Sequence, residues 1–580
     1  MEQYYTSEQN VQILIALLKE HGIRRVVASP GSTNVTFVGS IQQDPWFDLY
    51  SCVDERSAAY MACGMAAESG EPVVLSCTGA TASRNYYPAL TEAYYRHLPI
   101  LAVTSTQDES KIDHLVTQVI DRSVQPKDTV TCSVHLQTVR NADDAWDCNV
   151  KANKAILALT HRGGGPAHVN LTTTYSRDFS VKTLPKQRAI RRHTAEDAAW
   201  PQLPGGRIMV FCGTHARWTD GETAAIDAFC KAFNAVVLTD PAANYRGKYK
   251  VNYNLVAQQS IEDVNRNPDL LIHIGDMSDF PSVAGSPKEV WRVAEDGLIA
   301  DRYRTLTNVF ETKEQTFFSR YAATAQAAGD GSYLAECREA QQRLWRAVPE
   351  LPFSQLWVAH RLHGKLPSGC VLHLGILSPL RSWGYFDMPD GIDVFCNEGG
   401  FGIDGNLSTL IGASLVNHEK IYIGVVGDLS FFYDMNSLGN RHVGRNVRIM
   451  LINNALAAEF HLFKQTNTTC VNDIDSYISA AGHFGRQSPT LVRHYAEDLG
   501  YEYMAASGKD EFDKACARFT TPELTDRPMI FEVFTKVEDE NDALFKIYNM
   551  EISAKHKAKQ ALRGVLGDSV IGLGKKILKK

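Results

Sequence analysis

The fold of this chain is decided by residues 427–454, which read GDLSFFYDMNSLGNRHVGRNVRIMLINN. The apolar run Ile421–Val426 precedes Gly427-Asp428 and predicts a buried strand, and Arg448–Ile452 predicts a second strand that ends in Asn453-Asn454. Open parallel α/β sheets bind their ligands at the carboxyl ends of such strands. The sequence therefore predicts a ligand site at this edge of the sheet.

The residue types at this edge indicate a metal ion and a phosphate group. Asp428 and Asn454 supply the hard oxygen atoms that Mg²⁺ prefers, and Mg²⁺ usually completes its coordination with phosphate oxygens and water. Ser430 precedes a predicted helix, Phe431 to Leu438, whose N-terminus can face an anion. Gly-Asp or Asn-Asn alone would be an ordinary turn, but strand, Gly-Asp, helix, strand and Asn-Asn in this order predict a metal–diphosphate site.

The same alternation of helix and buried strand extends along the rest of the chain. Further apolar runs that predict strands are Ile23–Ala28, Val73–Cys77, Ile100–Thr104, Ile208–Cys212, Ala235–Leu238, Leu270–Ile274, Val371–Leu374, Val394–Cys396 and Met529–Phe534. Helical segments separate many of them, and this alternation is typical of parallel sheets that are covered on both faces. The predicted fold class is α/β with doubly wound parallel sheets.

The length of 580 residues is too great for one hydrophobic core, since cores rarely grow beyond roughly 250–300 residues. Residues 177–200 are charged and poor in apolar periodicity, which indicates a linker, and residues 323–349 predict a helix that leads into the last unit. We therefore expect three α/β domains and a tail, with bounds at 1–185, 186–345, 346–545 and 546–580.

Composition argues against several classes of protein. The formal net charge of -7 gives no support for nucleic-acid binding, and no apolar run reaches the ~20 residues that cross a bilayer. The N-terminus is polar and lacks the regions of a signal peptide. Twelve cysteines are scattered between Cys52 and Cys516 without a C-x-x-C pair, as expected of reduced thiols. We expect a cytoplasmic protein with no nucleic-acid partner.

The end of the chain differs from the rest. Residues 556–580 are rich in Lys and Arg, and their apolar residues roughly follow helical spacing. A basic amphipathic helix can lie on an anionic membrane surface, which would give weak contact with the inner face of the membrane. The alternatives are a solvated tail or a packing helix, and four glycines weaken any helix here by up to about 1 kcal/mol each.

Several segments resemble one enzyme superfamily. Residues 427–454 resemble the thiamine-diphosphate motif, which opens with Gly-Asp and closes with Asn-Asn. Segments that resemble its pyrimidine-binding domain are SPGSTN at 29–34, VDERSAAYMACGMA at 53–66 and LSCTGATASRNYYPALTEAYYRHLPILAVTS at 75–105. With TQVIDR at 117–122 and NEGGFGIDGNLST at 397–409, the chain most resembles the 2-succinyl-5-enolpyruvyl-6-hydroxy-3-cyclohexene-1-carboxylate synthase family.

This resemblance implies three domains, called pyrimidine-binding, central and diphosphate-binding, and the cofactors thiamine diphosphate and Mg²⁺. In this superfamily the cofactor lies between the first domain of one subunit and the third domain of another. The resemblance therefore implies a homodimer as the smallest active form, and a homotetramer is common. It also implies that the protein makes or breaks a carbon–carbon bond next to a carbonyl group.

Roles for particular residues follow from the matched motifs. Glu55 matches the catalytic glutamate that hydrogen-bonds N1′ of the aminopyrimidine and so promotes loss of the proton at C2 of the thiazolium ring. Asp428, Asn454 and the backbone carbonyl of Leu456 would hold the metal, and Ile403 matches the apolar residue that keeps the cofactor bent. The other implied cofactor contacts are Thr78, Gly79, Gly427, Leu429, Ser430 and Phe460, and the implied substrate contacts are Ser32, Thr33, Gln118, Arg381 and Glu398.

Plainer alternatives exist for three of these roles. Glu55 could be a solvent-facing helix acid paired with Arg56 or a neighbour, and Ile403 could be an ordinary core residue after a glycine turn. Arg381 is a candidate because an arginine can hold a carboxylate through two parallel hydrogen bonds, but it could equally be a surface arginine.

The chain departs from the family at positions that would touch the substrate. The family has Ser-Arg-Ser where this chain has Ser32-Thr33-Asn34, and Asn-Arg-Gly where it has Asn397-Glu398-Gly399. The family reaction joins decarboxylated 2-oxoglutarate to isochorismate, and both are acidic, so the loss of two arginines predicts a less anionic substrate. Glu459 replaces an isoleucine, and Glu459 and His461 are candidate acid–base groups or else helix-surface residues.

The predicted function is a thiamine-diphosphate- and Mg²⁺-dependent decarboxylase and carboligase, with a small 2-oxoacid donor and a carbonyl or enone acceptor. One alternative stays within this chemistry: an acetolactate-synthase-like condensation or simple decarboxylation without ligation. Another comes from a different class: a non-catalytic cofactor-binding protein, or a scaffold associated with the membrane through the basic tail. The donor, the acceptor and the pathway stay open.

Overall fold

The computed structural model describes residues 4–261, 263–464, 468–483 and 488–551. Its strands form three parallel sheets, which confirms the predicted α/β class. The chain divides into two compact units, one made of Met1–Trp200 with Asp296–Glu311 and the other of Pro201–Glu295 with Thr312–Lys580. The predicted tail helix at 556–580 lies outside the described residues. The four predicted domain bounds stay predictions.

Strands and helices are numbered here along the whole chain. The first unit contains α1 Gln9–Glu20, β1 Arg25–Ala28, α2 Val35–Ile41, β2 Asp48–Ser51, α3 Glu55–Ser69, β3 Val73–Thr78, α4 Thr81–Asn85, α5 Tyr87–Tyr95, β4 Ile100–Thr106, β5 Cys132–Leu136, α6 Ala142–Ala158, β6 Ala167–Thr172, β7 Arg191–Thr194 and β13 Leu306–Glu311. Its six-stranded sheet has the order β2-β1-β3-β4-β6-β5, and β13 pairs in parallel with β7.

The first unit forms around β4 and β6, which are buried along their whole length. β4 has every residue buried, as expected of a central strand in a parallel sheet. The loop after β1 passes close to the end of β3, because a Cβ at Gly31 would come within 1.9 Å of Cγ2 of Thr78. Only glycine permits this approach, so Gly31 fixes the distance between two strand ends.

The second unit contains two sheets. Its elements are β8 Ile208–Cys212, α7 Asp220–Phe233, β9 Val236–Thr239, β10 Lys250–Val251, α8 Asn254–Ala257, β11 Leu270–Ile274, β12 Glu289–Val293, α9 Glu314–Ala322, α10 Ser332–Arg346, α11 Gln355–Leu362, β14 Val371–Leu374, α12 Ser378–Gly384, β15 Asp393–Cys396, α13 Asn406–Ser414, β16 Tyr422–Gly427, α14 Asp428–Asp434, β17 Val447–Asn453, α15 Leu491–Asp498, β18 Glu502–Ala506, α16 Lys509–Phe519, β19 Met529–Phe534 and α17 Val537–Tyr548. Five strands run β10-β9-β8-β11-β12, and six run β15-β14-β16-β17-β19-β18.

Helix α13 packs directly on the central strand of the six-stranded sheet. A Cβ at Gly424 would lie 2.6 Å from Cδ2 of Leu410, so the missing side chain lets α13 approach β16. Leu407, Leu410 and Ile411 of α13 join the buried core with Val426. This packing holds the carboxyl end of β16 in place, where the predicted ligand site begins.

Three sequence expectations are corrected by the structure. The predicted linker 177–200 contains strand β7, whose four residues are all charged or polar and form no apolar run. The predicted helix 323–349 is limited to α10, because Gly331 precedes it with a φ of +75°. Helix α14 begins at Asp428 instead of Phe431 and gives way to a 3₁₀ turn at Met435–Gly439. No helix among the described residues is long and apolar enough to cross a membrane.

Candidate active site

The carboxyl ends of β16 and β17 lie side by side. In the parallel register Gly427 is opposite Ile452, so Asp428 and Asn454 follow directly at the same edge of the sheet. The sequence prediction that these residues meet is therefore confirmed as geometry, while their roles as ligands stay predictions.

Asp428 is almost fully buried, with 5% of its surface exposed. Its Oδ1 accepts a hydrogen bond from the backbone N–H of Leu429 at 2.7 Å, and its Oδ2 accepts from the N–H groups of Asn454 at 3.1 Å and Ala455 at 2.6 Å. Burial raises the pKa of Asp428 to about 6, although these backbone donors act in the opposite direction. A nearby cation would favour the charged form of this carboxylate.

Asn454 leaves a buried oxygen without a partner. Its Oδ1 is shielded from solvent and accepts no hydrogen bond from the described residues. Leaving such an atom unpaired costs about 1–3 kcal/mol, which a metal ion would offset. Asp428, Asn454 Oδ1 and the carbonyl oxygen of Leu456, which also accepts a hydrogen bond from the N–H of Ala458 at 3.0 Å, would supply the oxygen ligands that Mg²⁺ prefers, so these residues fit a magnesium site.

A cavity of about 350 Å³, called here the diphosphate cavity, opens at this edge of the sheet. It is lined by Gln355, Gly375, Ile376, Leu377, Ser378, Pro379, Ile403, Gly427, Asp428, Leu429, Ser430, Ile452, Asn454, Leu456, Ala457, Ala458, Glu459, Phe460 and Ile478. The predicted metal ligands and the predicted cofactor contacts of this unit thus surround one space.

Ile403 is held at the wall of the diphosphate cavity by its own backbone. Its carbonyl oxygen accepts hydrogen bonds from the Ser430 hydroxyl at 2.7 Å and from Nδ2 of Asn406 at 3.4 Å. Asn406 also donates to the Ser430 hydroxyl at 2.7 Å. The half-buried Ile403 side chain is therefore fixed relative to the helix that begins at Asp428.

Glu55 is the first residue of α3 in the first unit. The preceding Asp54 caps the helix by accepting a hydrogen bond from the N–H of Ser57 at 3.0 Å, which fixes where Glu55 stands. The Glu55 side chain is half-buried and accepts a hydrogen bond from Nδ2 of Asn85 at 3.4 Å. It has no counter-ion among the ion pairs of the described residues, so the predicted alternative of a pair with Arg56 does not appear; Arg56 instead contacts Asp54 at 3.9 Å.

Large apolar side chains lie exposed close to Glu55 in the sequence. Val53 is 78% exposed, and Tyr50, Tyr60 and Met61 are also exposed. Such clusters of exposed apolar residues are typical of surfaces that another chain covers.

The other predicted residues of the first unit lie at or after strand ends. Thr78 ends β3, Gly79 follows it, and both are shielded more than the exposed Ser32 and Gln118. Thr33 is 3% exposed, and its hydroxyl donates to the carbonyl oxygen of Ser105 at 3.1 Å. The Thr33 hydroxyl is therefore engaged inside the first unit.

Comparison with known proteins agrees with this geometry. Residues 9–125 match the family described as "Thiamine pyrophosphate enzyme, N-terminal TPP binding domain". A 2-succinyl-5-enolpyruvyl-6-hydroxy-3-cyclohexene-1-carboxylate synthase from Phocaeicola vulgatus is 31% identical over 94% of this chain and 99% of its own length. Enzymes of the same name from Bacteroides fragilis and Bacteroides thetaiotaomicron are each 30% identical, over 92% and 95% of this chain and 97% and 100% of their own lengths.

The chain belongs to the 2-succinyl-5-enolpyruvyl-6-hydroxy-3-cyclohexene-1-carboxylate synthase family. It is an enzyme that acts on carbon–carbon bonds, as a transferase or lyase. Its cofactors are thiamine diphosphate and a divalent metal ion such as Mg²⁺. The residues around Asp428 and Asn454 fit these cofactors on their own geometry.

Arg381 stands where the synthase family is expected to hold a substrate carboxylate, but its guanidinium already has two acidic partners. Nε and Nη2 donate to the carboxylate of Asp279 at 2.6 and 3.3 Å, and Nη1 donates to Oε1 of Glu459 at 2.5 Å. Burial disfavours the charged arginine, but the bonds to Asp279 and the charge of Glu459 outweigh it and raise the pKa of Arg381. The alternative of a plain surface arginine therefore does not hold.

Glu459, at a position where the sequence resemblance leads us to expect an isoleucine, lines the diphosphate cavity. Besides Arg381, its Oε2 accepts a hydrogen bond from Ser378 at 3.2 Å. His461 instead contacts Oδ1 of Asp475 at 2.8 Å and the Ser479 hydroxyl at 3.4 Å, and it does not line the diphosphate cavity. The structure thus places Glu459, and not His461, on the wall of the predicted site.

Glu398, at a position where the sequence resemblance leads us to expect an arginine, is buried with 2% exposure. Its Oε2 accepts a hydrogen bond from the N–H of Asp279 at 2.9 Å, and it faces the carboxyl group of Asp240. Burial and the neighbouring Asp240 raise the pKa of Glu398 to about 9, so it is protonated at neutral pH. Glu398 does not line the diphosphate cavity, so its predicted contact with substrate gains no support.

A second cavity of about 280 Å³ shares five wall residues with the diphosphate cavity and is called here the side cavity. The shared residues are Gln355, Ser378, Asn454, Ala458 and Glu459; the side cavity is also lined by Gln258, Asp279, Phe280, Leu356, Arg381, Ser382, Tyr385, Leu462, Lys464, Glu540, Leu544 and Tyr548. Sequence analysis missed Gln355, Asp279 and Glu540, because none of them lies at a strand end or in a matched motif.

Proposed function

We propose that this protein decarboxylates a small 2-oxoacid and transfers the remaining acyl group to a carbonyl or enone acceptor. The observation that carries the proposal is the buried, unpaired Oδ1 of Asn454 beside the carboxylate of Asp428 in one cavity. When bound there, thiamine diphosphate supplies a nucleophilic carbon for the donor carbonyl and an electron sink for the loss of carbon dioxide.

In this proposal the second unit binds the cofactor and its metal. Asp428, Asn454 and the carbonyl oxygen of Leu456 would hold Mg²⁺, and the backbone around Gly427, Leu429 and Ser430 would bind the diphosphate. Ile403 and Phe460 form the apolar wall. These side chains exclude water from the reacting centre, which strengthens every electrostatic interaction inside it.

Glu55 is proposed to hold a proton at the aminopyrimidine nitrogen of the cofactor. A carboxyl group does this best when its surroundings favour sharing of the proton, and an apolar cover supplies that condition. In the described chain Glu55 is only half-buried, and exposed Val53 and Tyr60 lie nearby in the sequence. We infer that a second copy of the chain covers this surface, so that a homodimer is the active form.

The 2-oxoacid donor and the acceptor are proposed to carry fewer negative charges than 2-oxoglutarate and isochorismate. Thr33 and Glu398 stand where arginines are expected, and the remaining Arg381 is shared between Asp279 and Glu459. An enzyme that joins two multiply charged acids needs cations that are free to bind them. Simple decarboxylation and an acetolactate-synthase-like condensation remain within the proposed chemistry.

Cytoplasmic location is part of the proposal and is supported by the cysteines. All twelve are free thiols, and eight of them are buried. Free thiols suit a reducing compartment. Weak membrane contact through the basic tail stays a prediction.

The proposal is tested by incubating the protein with pyruvate, 2-oxobutyrate and 2-oxoglutarate in the presence of thiamine diphosphate and Mg²⁺. We expect carbon dioxide release from at least one donor, and its loss when Mg²⁺ is removed with a chelator. Mass spectrometry of the products then separates decarboxylation from ligation. No release above the no-enzyme control from a broad set of 2-oxoacids, with cofactor shown to be bound, would overturn the proposal.

A further inference from the structure

The side cavity is the space next to the diphosphate cavity, since five residues form walls of both. A molecule that reacts with the donor carbon must lie beside the cofactor, and the side cavity offers about 280 Å³ for it. The chemistry of its walls therefore determines which acceptor fits.

The strongest cation on the walls, Arg381, is neutralised from both sides. The carboxylate of Asp279 accepts two hydrogen bonds from Nε and Nη2 of Arg381, and the carboxylate of Glu459 accepts one from Nη1. An incoming carboxylate would have to displace one of these acids, and each displaced acid would then stand unpaired in a part-buried place. Displacement of a charge-assisted pair is costly, so Arg381 gives an anion little net attraction.

The rest of the side cavity does not restore a positive charge. Its charged wall residues are Asp279, Arg381, Glu459, Lys464 and Glu540, which is three acids against two bases. Lys464 lies exposed at the surface, donates to Oε1 of Gln258 at 2.9 Å and contacts the ring of Tyr548. Partial burial lowers the pKa of Lys464 to about 8, and its ammonium group already contacts Gln258 and Tyr548, so it adds one partly compensated positive charge against the acids.

The side cavity does present neutral groups that form hydrogen bonds. Gln355 is 4% exposed, and its Nε2 donates to no described residue. Ser378 and Ser382 also line the space, as does Tyr385, whose hydroxyl contacts that of Tyr548. An unpaired buried amide is satisfied by a ligand hydroxyl or carbonyl oxygen.

We propose that the side cavity binds the acceptor and selects an uncharged, hydroxyl-bearing carbonyl compound over a carboxylated one, with Asp279 and Glu459 as the residues that exclude anions. This inference rests on the proposed function and specifies its acceptor. The Nε2 amide of Gln355 donates a hydrogen bond to the hydroxyl group of the acceptor. The Asp279–Arg381–Glu459 cluster gives the side cavity no net positive charge.

The test uses two aldehydes of the same skeleton, 4-(hydroxymethyl)benzaldehyde and 4-formylbenzoate, each offered as acceptor with the donor that releases carbon dioxide. We expect the neutral aldehyde to be ligated with a kcat/KM at least about tenfold higher than the carboxylated one. Equal or higher kcat/KM for 4-formylbenzoate would overturn the inference. Ligation of neither aldehyde, while carbon dioxide is released, would also overturn it.

A charge-removing variant sharpens the test. Asp279→Asn replaces one of the two carboxylates on Arg381 by a neutral amide, which leaves the positive charge of the guanidinium less compensated. We therefore expect the ratio of kcat/KM values to shift by about tenfold toward 4-formylbenzoate. The matched control is Asp276→Asn, which makes the same change of net charge at an exposed acid outside both cavities. An unchanged ratio in folded Asp279→Asn, or an equal shift in the control, contradicts the role of Asp279.

Binding is measured separately from turnover by titration calorimetry of 4-formylbenzoate into wild-type and variant protein. We expect tighter binding only in Asp279→Asn. Carbon dioxide release is recorded in every experiment, because it reports on the donor alone. Absence of release points to failure of the proposed function, whereas release with preference for the carboxylated aldehyde points to failure of this inference.

Discussion

The diphosphate cavity and the surface around Glu55 differ in how complete they are. At the cavity, Asp428 is buried, three backbone N–H groups hold its carboxylate, and an unpaired oxygen of Asn454 stands beside it. At the other surface, Glu55 is half-buried with one long hydrogen bond from Asn85, and Val53 is 78% exposed. The diphosphate cavity is formed entirely within the second unit, whereas the surface around Glu55 is left partly exposed to solvent.

This difference supports the proposal that the diphosphate cavity binds the metal and the phosphate groups, whereas Glu55 serves in proton transfer. Metal and phosphate binding need fixed charges and backbone donors, and the second unit provides both. Proton sharing at Glu55 needs a dry environment, which the first unit does not provide by itself. The comparison therefore predicts that damage to the cavity removes cofactor binding, whereas damage at Glu55 removes turnover and leaves binding largely intact.

The largest effect is expected from Asp428→Asn. Because a charged oxygen ligand of Mg²⁺ is lost, activity at standard cofactor concentrations should fall by about 1,000-fold, in line with the several kcal/mol that a metal ion supplies. Binding of Mg²⁺ and thiamine diphosphate, measured by calorimetry, should weaken in parallel. Asp434→Asn is the control, because Asp434 is a buried acid on the same helix that bonds Ser408 instead of the cavity. Normal cofactor binding in Asp428→Asn would contradict the account.

Glu55→Gln should lower kcat by about 100-fold or more while the fold and the affinity for thiamine diphosphate stay close to wild type. The amide keeps the size of the side chain but cannot share a proton in the same way, and proton transfer contributes about 10²–10⁴-fold. The control is Glu68→Gln, an exposed acid on the same helix. Circular dichroism and cofactor titration accompany the kinetics, and near-wild-type kcat would refute the catalytic role.

A smaller effect is expected from Ile403→Ala. Loss of the apolar wall should let the cofactor leave its reactive shape, and misplacement of about 1 Å can cost up to about 100-fold, so we expect about tenfold in kcat with little change in Mg²⁺ affinity. Leu415→Ala, which removes a 39% exposed apolar side chain just after α13, should leave kcat unchanged. If both variants behave alike, Ile403 is only a core residue.

The smallest effect on activity, but a clear one on stability, is expected from Glu398→Gln. Burial raises the pKa of Glu398 from 4.5 to about 9, so the folded state holds a proton that the unfolded chain releases. The free energy of unfolding should therefore fall as pH rises from about 4.5 to about 9, by at most about 1.4 kcal/mol per pH unit. Glu398→Gln should flatten this slope. Urea unfolding of the wild-type and variant proteins at pH 5.5, 7.0 and 8.5 measures this slope. The same dependence of the free energy of unfolding on pH in both proteins would show that Glu398 is not the group involved.

Sequence patterns predicted the cavity better than its surroundings for a physical reason. Asp428 and Asn454 lie at the ends of two predicted strands, and the rule that parallel strands end at one edge brings them together. The contacts of Arg381 could not be derived, because Asp279 and Glu459 are 102 and 78 residues away along the chain. Strand β7 was missed because its residues lack the apolar pattern on which strand prediction depends.

The substitutions relative to the family were visible in the sequence, but their consequences were not. Glu398 was expected at the substrate, whereas the structure buries it against Asp240. Glu459 was expected as an acid–base candidate or a surface residue, whereas it binds Arg381. Whether an added acid faces a ligand or neutralises a neighbour depends on packing, which spacing alone does not determine.

The most direct test of the central claim is complementation between two inactive variants. We would express Glu55→Gln and Asp428→Asn chains together with different tags and purify the dimers that carry both tags. If each site takes Glu55 from one copy and Asp428 from the other, one of the two sites in such a dimer is intact, and we predict about half of the wild-type activity. Activity no higher than that of the single variants would contradict the account, because it would mean that both residues serve the same site from one chain.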